Sequence, residues 1–547
     1  MSEALYVYQS VGVLVPLLGG AAFALPLFTL VIKRKVFYDA YTAFFSLVAL
    51  VLASYNYVLV RAEGKPLLYA FGGWPPPLGI SYEVDEFSAV LGVLTASVMF
   101  LIVAYSLWYT RFMRGYEWYY TLLLGLETGL LGCLYTGDVF NLFVMLEVLS
   151  ISAYALVAFY RSRPQAVEAA MKYGIIGATA TTIYFIALVF IYGALGTLNM
   201  ADIALKSRLI TAGVGPISPF SNGLFGNAFI AASLAIALSL WAFTYKAALF
   251  PNHFWLPDAH PEAPTPVSAA LSGLVVNVGV YAVVRFLYTL FGPKSFLISF
   301  RDAVMWALLV LGIASGLVGA LLMAVQSDVK RLLAYSTVSH IGLIFMGLSI
   351  GTSSVSEDVA TLGLTAALYH TVNHSVGKAL LFMGVGVFIN LLGTRDLDKL
   401  SGSGKLSPLV MGAVIVGFLQ LMGAPPLGGF FSKLLLYQSL IEAGLIVPAV
   451  LVIAISAVSI LGYLKVIYGL WAKPLKEAPK QVAGMAVPKT VVLVMAVACI
   501  ALGVLSPMVT GLLAGSINAS FTDSGVRDYV NSFMSFAIYV VKYLGGG

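Results

Sequence analysis

Long apolar stretches follow one another along the chain, separated by short polar connections. Most run close to or beyond the ~20 residues that an α-helix needs to cross the hydrocarbon core of a bilayer. Fourteen spans are predicted: 11–32, 38–60, 85–109, 117–135, 139–160, 169–194, 225–257, 266–291, 303–325, 332–350, 359–392, 408–440, 447–471 and 490–514. A polar-apolar alternation of helical period near 525–543 predicts a last helix lying on a surface. The connections are short except 61–83 and 196–224, and none has the Pro, Ser or charge content that would set off a soluble domain. The opening MSEALYVYQS carries an acid and no Lys or Arg before the first apolar run, unlike a cleaved signal peptide, so the first span is expected to be a genuine helix.

Three spans are too long for one straight crossing: 225–257, 359–392 and 408–440. Pro251 interrupts the first, and Pro425-Pro426 with Gly428-Gly429 the last; the middle one carries Gly377, Gly384 and Gly386. Interrupted spans in two halves of a chain point to an ion site, because unwound backbone is tolerable in a membrane where it lines a wet cavity. Alternate connections concentrate basic residues, among them Lys33, Arg34, Lys35, Arg111, Arg161, Lys330, Arg395 and Lys473. By the positive-inside rule this places both termini outside.

Composition sharpens the class. The chain is 60% hydrophobic and 10% charged, with mean hydropathy +0.95, whereas soluble domains are about 25% charged. It is an all-α polytopic membrane protein, expected in the cytoplasmic membrane. The net charge of +6 then reports cytoplasmic loops, not nucleic-acid binding. Cys133 and Cys499 lie in apolar runs, so no disulfide framework or metal knuckle is indicated. No Gly-rich phosphate loop is present, and the short loops leave no place for a nucleotide, haem or iron–sulfur cluster, so no cofactor is expected.

Against this background the ionisable groups inside spans stand out. In TAALYHTVNHSVGK (365–378), His370, His374 and Lys378 recur at helical spacing and form one stripe. Glu147, Lys246 and Lys433 occupy comparable depths in other spans. A Lys at the centre of a spanning helix costs about 2.5–3.5 kcal/mol on insertion scales, so such groups face water, partners or an ion path. A buried Lys tends to lose its proton and a nearby carboxylate restores it, which would make a Glu147–Lys246 salt bridge a switch of Lys basicity. Lysines joined by imidazoles and water could then pass protons along the membrane. The competing reading is that these groups form structural pairs stapling helices together. Elsewhere, Glu127 is deep in the fourth span with no evident partner, His340 is expected to be a polar packing residue, and Lys465 to snorkel from the end of its helix. His253, Asp258, His260 and Glu262 lie in a Pro-rich segment whose spacing does not suit a metal-ligand helix. That segment is expected to form an ion vestibule.

These stretches resemble the antiporter-like subunits of respiratory complex I and its relatives, most closely the D subunit of Mrp-type cation/proton antiporters; membrane-bound hydrogenases and sulfur-reducing complexes contain similar subunits. The resemblance rests on GDVFNLFVMLE around Glu147, GTLNMADIA at 196–204, KAALFPNHFWLPDAHPEAPTPVSA from Lys246, SDVKRLLAYSTVSHIG from Ser327, ALYHTVNHSVGKALLFMGVG ending at Gly386, and GAPPLGGFFSK ending at Lys433. It implies two inverted five-helix repeats, 117–291 and 303–471, preceded by helices in 1–116 and followed by a last span and the amphipathic helix in 490–547. It implies Glu147 with Lys246 as coupling switch, His370, His374 and Lys378 as central relay, and Lys433 as exit group. Where the family often has a Lys, this chain has Asn277, which can hold water but carries no charge. The implied function is ion translocation, of protons or of sodium against protons, without a cofactor. The implied partners are other membrane subunits, including further antiporter-like and small helical ones, with energy from a peripheral redox module or an opposing cation gradient. Two alternatives stay open: a stand-alone secondary transporter, and a structural subunit whose relay is idle.

Overall fold

The computed structural model describes residues 9–212, 227–476 and 484–543. The first eight residues and residues 213–224 of the 196–224 connection, on which two of the expectations above bear, lie outside that set. The chain is helical, with one two-stranded hairpin.

Three helices precede the first expected repeat: α1 (Gln9–Ala24), α2 (Lys35–Glu63) and α3 (Glu86–Tyr109). The hairpin of β1 (Leu67–Ala70) and β2 (Ser81–Val84), antiparallel with Leu67 opposite Val84, lies between α2 and α3 and defines one face of the molecule. This face is called the hairpin side here, and the opposite one the basic side. There follow α4 (Tyr116–Tyr135), α5 (Val139–Val157), α6 (Pro164–Leu195), the short α7 (Met200–Thr211) and α8 (Ala228–Lys246). After a break come α9 (Trp255–Glu262), α10 (Thr265–Ala270) and α11 (Val276–Val284). The second half holds α12 (Ile298–Val325), α13 (Val329–Leu348), α14 (Glu357–Leu392), α15 (Pro408–Met422), α16 (Gly428–Glu442) and α17 (Ile446–Trp471). The chain ends with α18 (Ala486–Val504), α19 (Ser506–Phe521) and α20 (Asp523–Tyr543).

Among the described residues twelve helical stretches are long and apolar enough to cross a membrane. The other two expected spans fall on α4, which carries Glu117 and Glu127, and on 408–440, which is divided into α15 and α16. The expected interruptions appear at two of three places. Between α8 and α9 the chain unwinds over Ala247–Phe254, with Ala248 at φ 55°. Between α15 and α16 it turns at Gly423, φ 82°. The third expectation fails: α14 runs unbroken for 36 residues, about 54 Å at 1.5 Å per residue. Its glycines serve close packing instead. A β-carbon on Gly377 would stand 3.1 Å from the Leu421 side chain.

Glycine also sets the tightest helix pair. Gly312 and Gly319 on α12 face α13 so closely that a β-carbon on Gly312 would lie 2.9 Å from Gly342 O, and one on Gly319 2.5 Å from Ser339 N. Small residues spaced by about a turn let helix backbones touch where no hydrophobic effect drives association. The same approach brings Ser339 Oγ to Gly316 O (2.9 Å) and fixes the neighbouring His340. Gly319→Leu should force the two helices apart and lower stability by about 1–3 kcal/mol. A thermal-shift assay on the detergent-solubilised protein checks this, with the surface substitution Gly412→Leu as a control that should leave the midpoint in place, since nothing lies within 4 Å of its β-carbon position.

Candidate functional site

Each half of the chain presents a lysine at a helix break. α8 ends at Lys246, a buried residue whose Nζ donates to Ser150 Oγ at 2.5 Å and lies 5.9 Å from the Tyr173 ring centroid. α16 begins just past the second break, and there Lys433 Nζ donates to Leu421 O (2.9 Å) and Met422 O (3.0 Å), the last carbonyls of α15. A helix C-terminus has unpaired carbonyls and a partial negative charge, so it is a natural seat for an ammonium.

The expected Glu147–Lys246 salt bridge is not formed. Ser150, three residues along α5, meets the ammonium first, while Glu147 is half-exposed at the helix perimeter and makes no hydrogen bond or ion pair among the described residues. The two charges still attract each other at longer range.

From the centre of α14 to the second break runs a continuous buried chain of hydrogen bonds. Lys378 Nζ donates to Leu333 O at 2.9 Å and to Ser336 Oγ. Ser336 Oγ meets Tyr463 OH (2.7 Å), which meets His340 Nε2 (2.9 Å). His340 Nδ1 meets His370 Nε2 (2.9 Å), and His370 Nδ1 meets Ser432 Oγ (3.0 Å), beside Lys433 in sequence. Four helices supply the six side chains: α13, α14, α16 and α17. Every intermediate group is a hydroxyl or an imidazole, and each can both donate and accept. The chain can therefore be ordered in either direction, which is what proton hopping requires.

This corrects two expectations. His340, read as a packing residue, stands in the middle of the chain. His374, read as a link of the stripe, stands beside it: neither ring nitrogen has a hydrogen-bond partner, and its ring is 5.7 Å from that of His340. The stripe lies on one helix as expected, but the links come across from α13 and α17. Ser336, Tyr463 and Ser432 escaped the sequence reading. Single hydroxyls in apolar spans carry no periodicity signal, although a serine next to Lys433 and a tyrosine two residues before Lys465 were available hints.

Asn277 joins the first half to the centre. Its Nδ2 donates to Gly273 O (2.6 Å) and to Ser375 Oγ (2.8 Å) on α14, and its Oδ1 has no partner. Gly273 permits the approach, since a β-carbon there would lie 2.9 Å from Ser375 O. The helix around it has π-helical turns at Leu271–Val275 and Arg285–Leu290, a distortion frequent at functional sites. No direct hydrogen bond links Asn277 to Lys246 among the described residues.

The remaining candidates are placed elsewhere. Glu127 is buried, with Oε1 accepting from Ser46 Oγ of α2 at 3.1 Å. His253 sits in the first break, its Nδ1 3.2 Å from Pro251 O. Asp258 pairs with Lys172 and Arg331 (both 3.4 Å), and Glu262 with Arg395 (2.5 Å), while Lys330 Nζ donates to Ala263 O. His260 stacks on Phe382. Glu262, Lys330 and Arg395 line a cavity of about 610 Å³ on the basic side, which fits the vestibule reading of that segment. Lys465 reaches Ala324 O and Gln326 O at the end of α12, as a snorkelling side chain does.

Known proteins share this architecture. A family model described as NADH:quinone oxidoreductase/Mrp antiporter, transmembrane, matches residues 136–461. The chain is 35% identical over 424 residues to the N subunit of the NADH-quinone oxidoreductase of Desulforudis audaxviator, covering 77% of this chain and 78% of that protein. It is 30% identical over 432 residues to the D subunit of the Na(+)/H(+) antiporter of Alkalihalophilus pseudofirmus, covering 78% and 81%. It also superposes, with TM-score 0.81 and 29% identity, on a chain of the membrane-bound sulfane sulfur reductase, an archaeal respiratory membrane complex, covering 98% of this chain and 99% of that one. The chain therefore belongs to the NADH:quinone oxidoreductase/Mrp antiporter transmembrane family.

Proposed function

We propose that this antiporter-like subunit carries protons through the membrane part of a multi-subunit energy-converting complex, along the hydrogen-bonded chain from Lys378 to Ser432 and out by Lys433. The single observation that carries the reading is that buried chain, which starts at Lys378 and ends at Ser432, the residue before Lys433 in sequence. Lys378 loads from the basic-side cavity, which we assign to the cytoplasm by the charge of its loops. The proton crosses Ser336, Tyr463, His340 and His370, and Lys433 releases it toward the hairpin side. Imidazole suits the middle of such a route because its unperturbed pKa, about 6.5, lets it take and give a proton in the working range.

We further propose fourteen crossings and two inverted repeats, 117–291 and 303–471. One local design supports this, because it recurs on opposite faces. Asp138 caps α5 and bridges Asn199 beside the hairpin; Asp328 caps α13 and bridges Asp396 on the basic side. Glu147 is only partly buried at mid-helix, and in the complex a neighbouring membrane subunit would complete its surroundings. Movement of that neighbour's charges would set how strongly Glu147 attracts the proton on Lys246. Sodium/proton exchange is the related reading that the Mrp relative suggests.

Three outcomes test this in the native complex reconstituted into liposomes. Lys378→Arg should stop net transport, because a guanidinium holds its proton while keeping the charge; native-rate pumping would make the ammonium purely structural. Tyr463→Phe keeps the ring and removes one hydroxyl from the chain, so the rate should fall by about 10²-fold with assembly intact on native gels. Glu147→Gln should uncouple transport from the energy source while the complex still assembles; unchanged coupling would remove Glu147 from the mechanism.

A further inference from the structure

A second polar ladder leaves the centre of the molecule and is used by none of the steps above. It begins at Asn277, whose Oδ1 is unpartnered. One turn on is Tyr281, and one turn further Arg285, so the three share a face of the α11 segment. Tyr281 OH donates to Leu134 O (2.9 Å) and lies 3.1 Å from Ser88 Oγ, and Arg285 Nε donates to Tyr281 OH (3.1 Å). Arg285 then grips Asp85, the residue that caps α3, through Nη1–Oδ2 at 2.7 Å and a second bond from Nη2, which also reaches Ser88 Oγ (2.7 Å). The guanidinium is sealed by aromatic rings, with the Phe521 and Tyr529 centroids 5.5 and 5.6 Å away.

Two cavities bracket the ladder. One of about 20 Å³ lies between Asn277 and Tyr281, also lined by Phe87 and Thr371. That is room for about one water, which needs roughly 10–15 Å³ and polar partners; Asn277 and Tyr281 are among the residues that line it. The other, of about 90 Å³, has Asp85 on its wall, together with Lys65, Glu86 and Asp528 on the hairpin side.

Beside the pair sits Glu83, buried to 1% exposure with neither carboxylate oxygen hydrogen-bonded. An uncompensated buried carboxylate is expensive, and Arg285 is already neutralised by Asp85. The charged and titratable groups that face Glu83 are Asp85 ahead of α3, Arg285 after α11, and Tyr529 of α20. Burial, then the Asp85 carboxylate, push its pKa well above the usual carboxylate range, with Arg285 opposing. Glu83 is therefore the member of the cluster most inclined to hold a proton.

We propose that this ladder is a second proton opening on the hairpin side, with Glu83 as its titrating group, the Asp85–Arg285 pair as its gate, and Tyr281 with the water-sized cavity as its link to Asn277 and Ser375. It rests on the reading that the central helices carry protons. It gives Asn277 a role as a hydration point: the amide binds Ser375, and the residue is part of the lining of the cavity. With the pair closed, the guanidinium blocks cations. When Asp85 turns to the outer cavity, Glu83 can exchange its proton through Ser88 and Tyr281.

The test uses the native complex in liposomes of determined orientation, with pH varied only in the compartment facing the hairpin. In the unaltered complex the rate should depend on that pH through the titration of Glu83. Glu83→Gln should remove this dependence and the protonated-carboxyl band in infrared difference spectra, Glu83→Asp should restore both in part, and Tyr281→Phe should lower the rate without touching the band. A stability readout gives a second check. A carboxyl whose pKa is higher folded than unfolded binds its proton more tightly in the native state, so stability is full at low pH and falls as pH rises through the interval between the two values. The thermal midpoint of the Glu83→Gln complex should lack that fall. If Glu83→Gln keeps the native rate, pH profile and infrared band while Lys378→Arg blocks transport, the side opening is overturned and the central relay stands. If Lys378→Arg is harmless, both readings fall together.

Discussion

A charge inside hydrocarbon persists only if the protein supplies what water would have supplied. Here the supply is made of neutral dipoles. Lys433 rests on two carbonyls at the end of α15, Lys378 on a carbonyl and a hydroxyl, and Lys246 on a hydroxyl. A carboxylate at contact would bind each proton tightly. Dipoles solvate the ammonium without holding it as firmly, so the same sites tolerate the neutral amine. Among the described residues none of these three lysines has a carboxylate at contact, whereas Arg285 and Arg395 are ion-paired guanidiniums, which do not deprotonate.

The scaffold follows from that need. Free carbonyls at membrane depth require broken helices, and broken helices require neighbours close enough to satisfy the rest of the backbone. Glycine gives that closeness along α12 and α13 and at Gly273 against α14. Unbroken α14 passes between the two broken segments and carries Ser375, Lys378 and His370, so groups from both halves converge on one rigid rod.

Much of this was legible in the sequence. Apolar run lengths gave the helices, prolines located the two breaks, and isolated charges named Lys246, Lys378 and Lys433. What was not legible came from contacts between distant segments. Glycines that suggested an interruption in 359–392 proved to be packing sites, because a Gly in an apolar run reads the same whether it bends a helix or admits a neighbour. The hydrogen-bond partners Ser336, Tyr463 and Ser432 are ordinary residues whose role exists only once four helices meet. Glu147 and Lys246 were rightly placed near each other, but one helical turn separates attraction from contact, and a few ångströms of register are beyond a pattern of apolar positions.

The unpaired Glu147 bears on how such a complex is built. It stands near the middle of α5, a helix of 19 residues, is only partly buried, and has no ion-pair partner among the described residues. Acidic groups at that depth cost about 2.5–3.5 kcal/mol on insertion scales, a sizeable share of a typical stability margin. A partner that covered this carboxyl would relieve that cost, so unassembled copies would be the less stable ones. The same carboxyl would then report during biogenesis whether the subunit has found its partner.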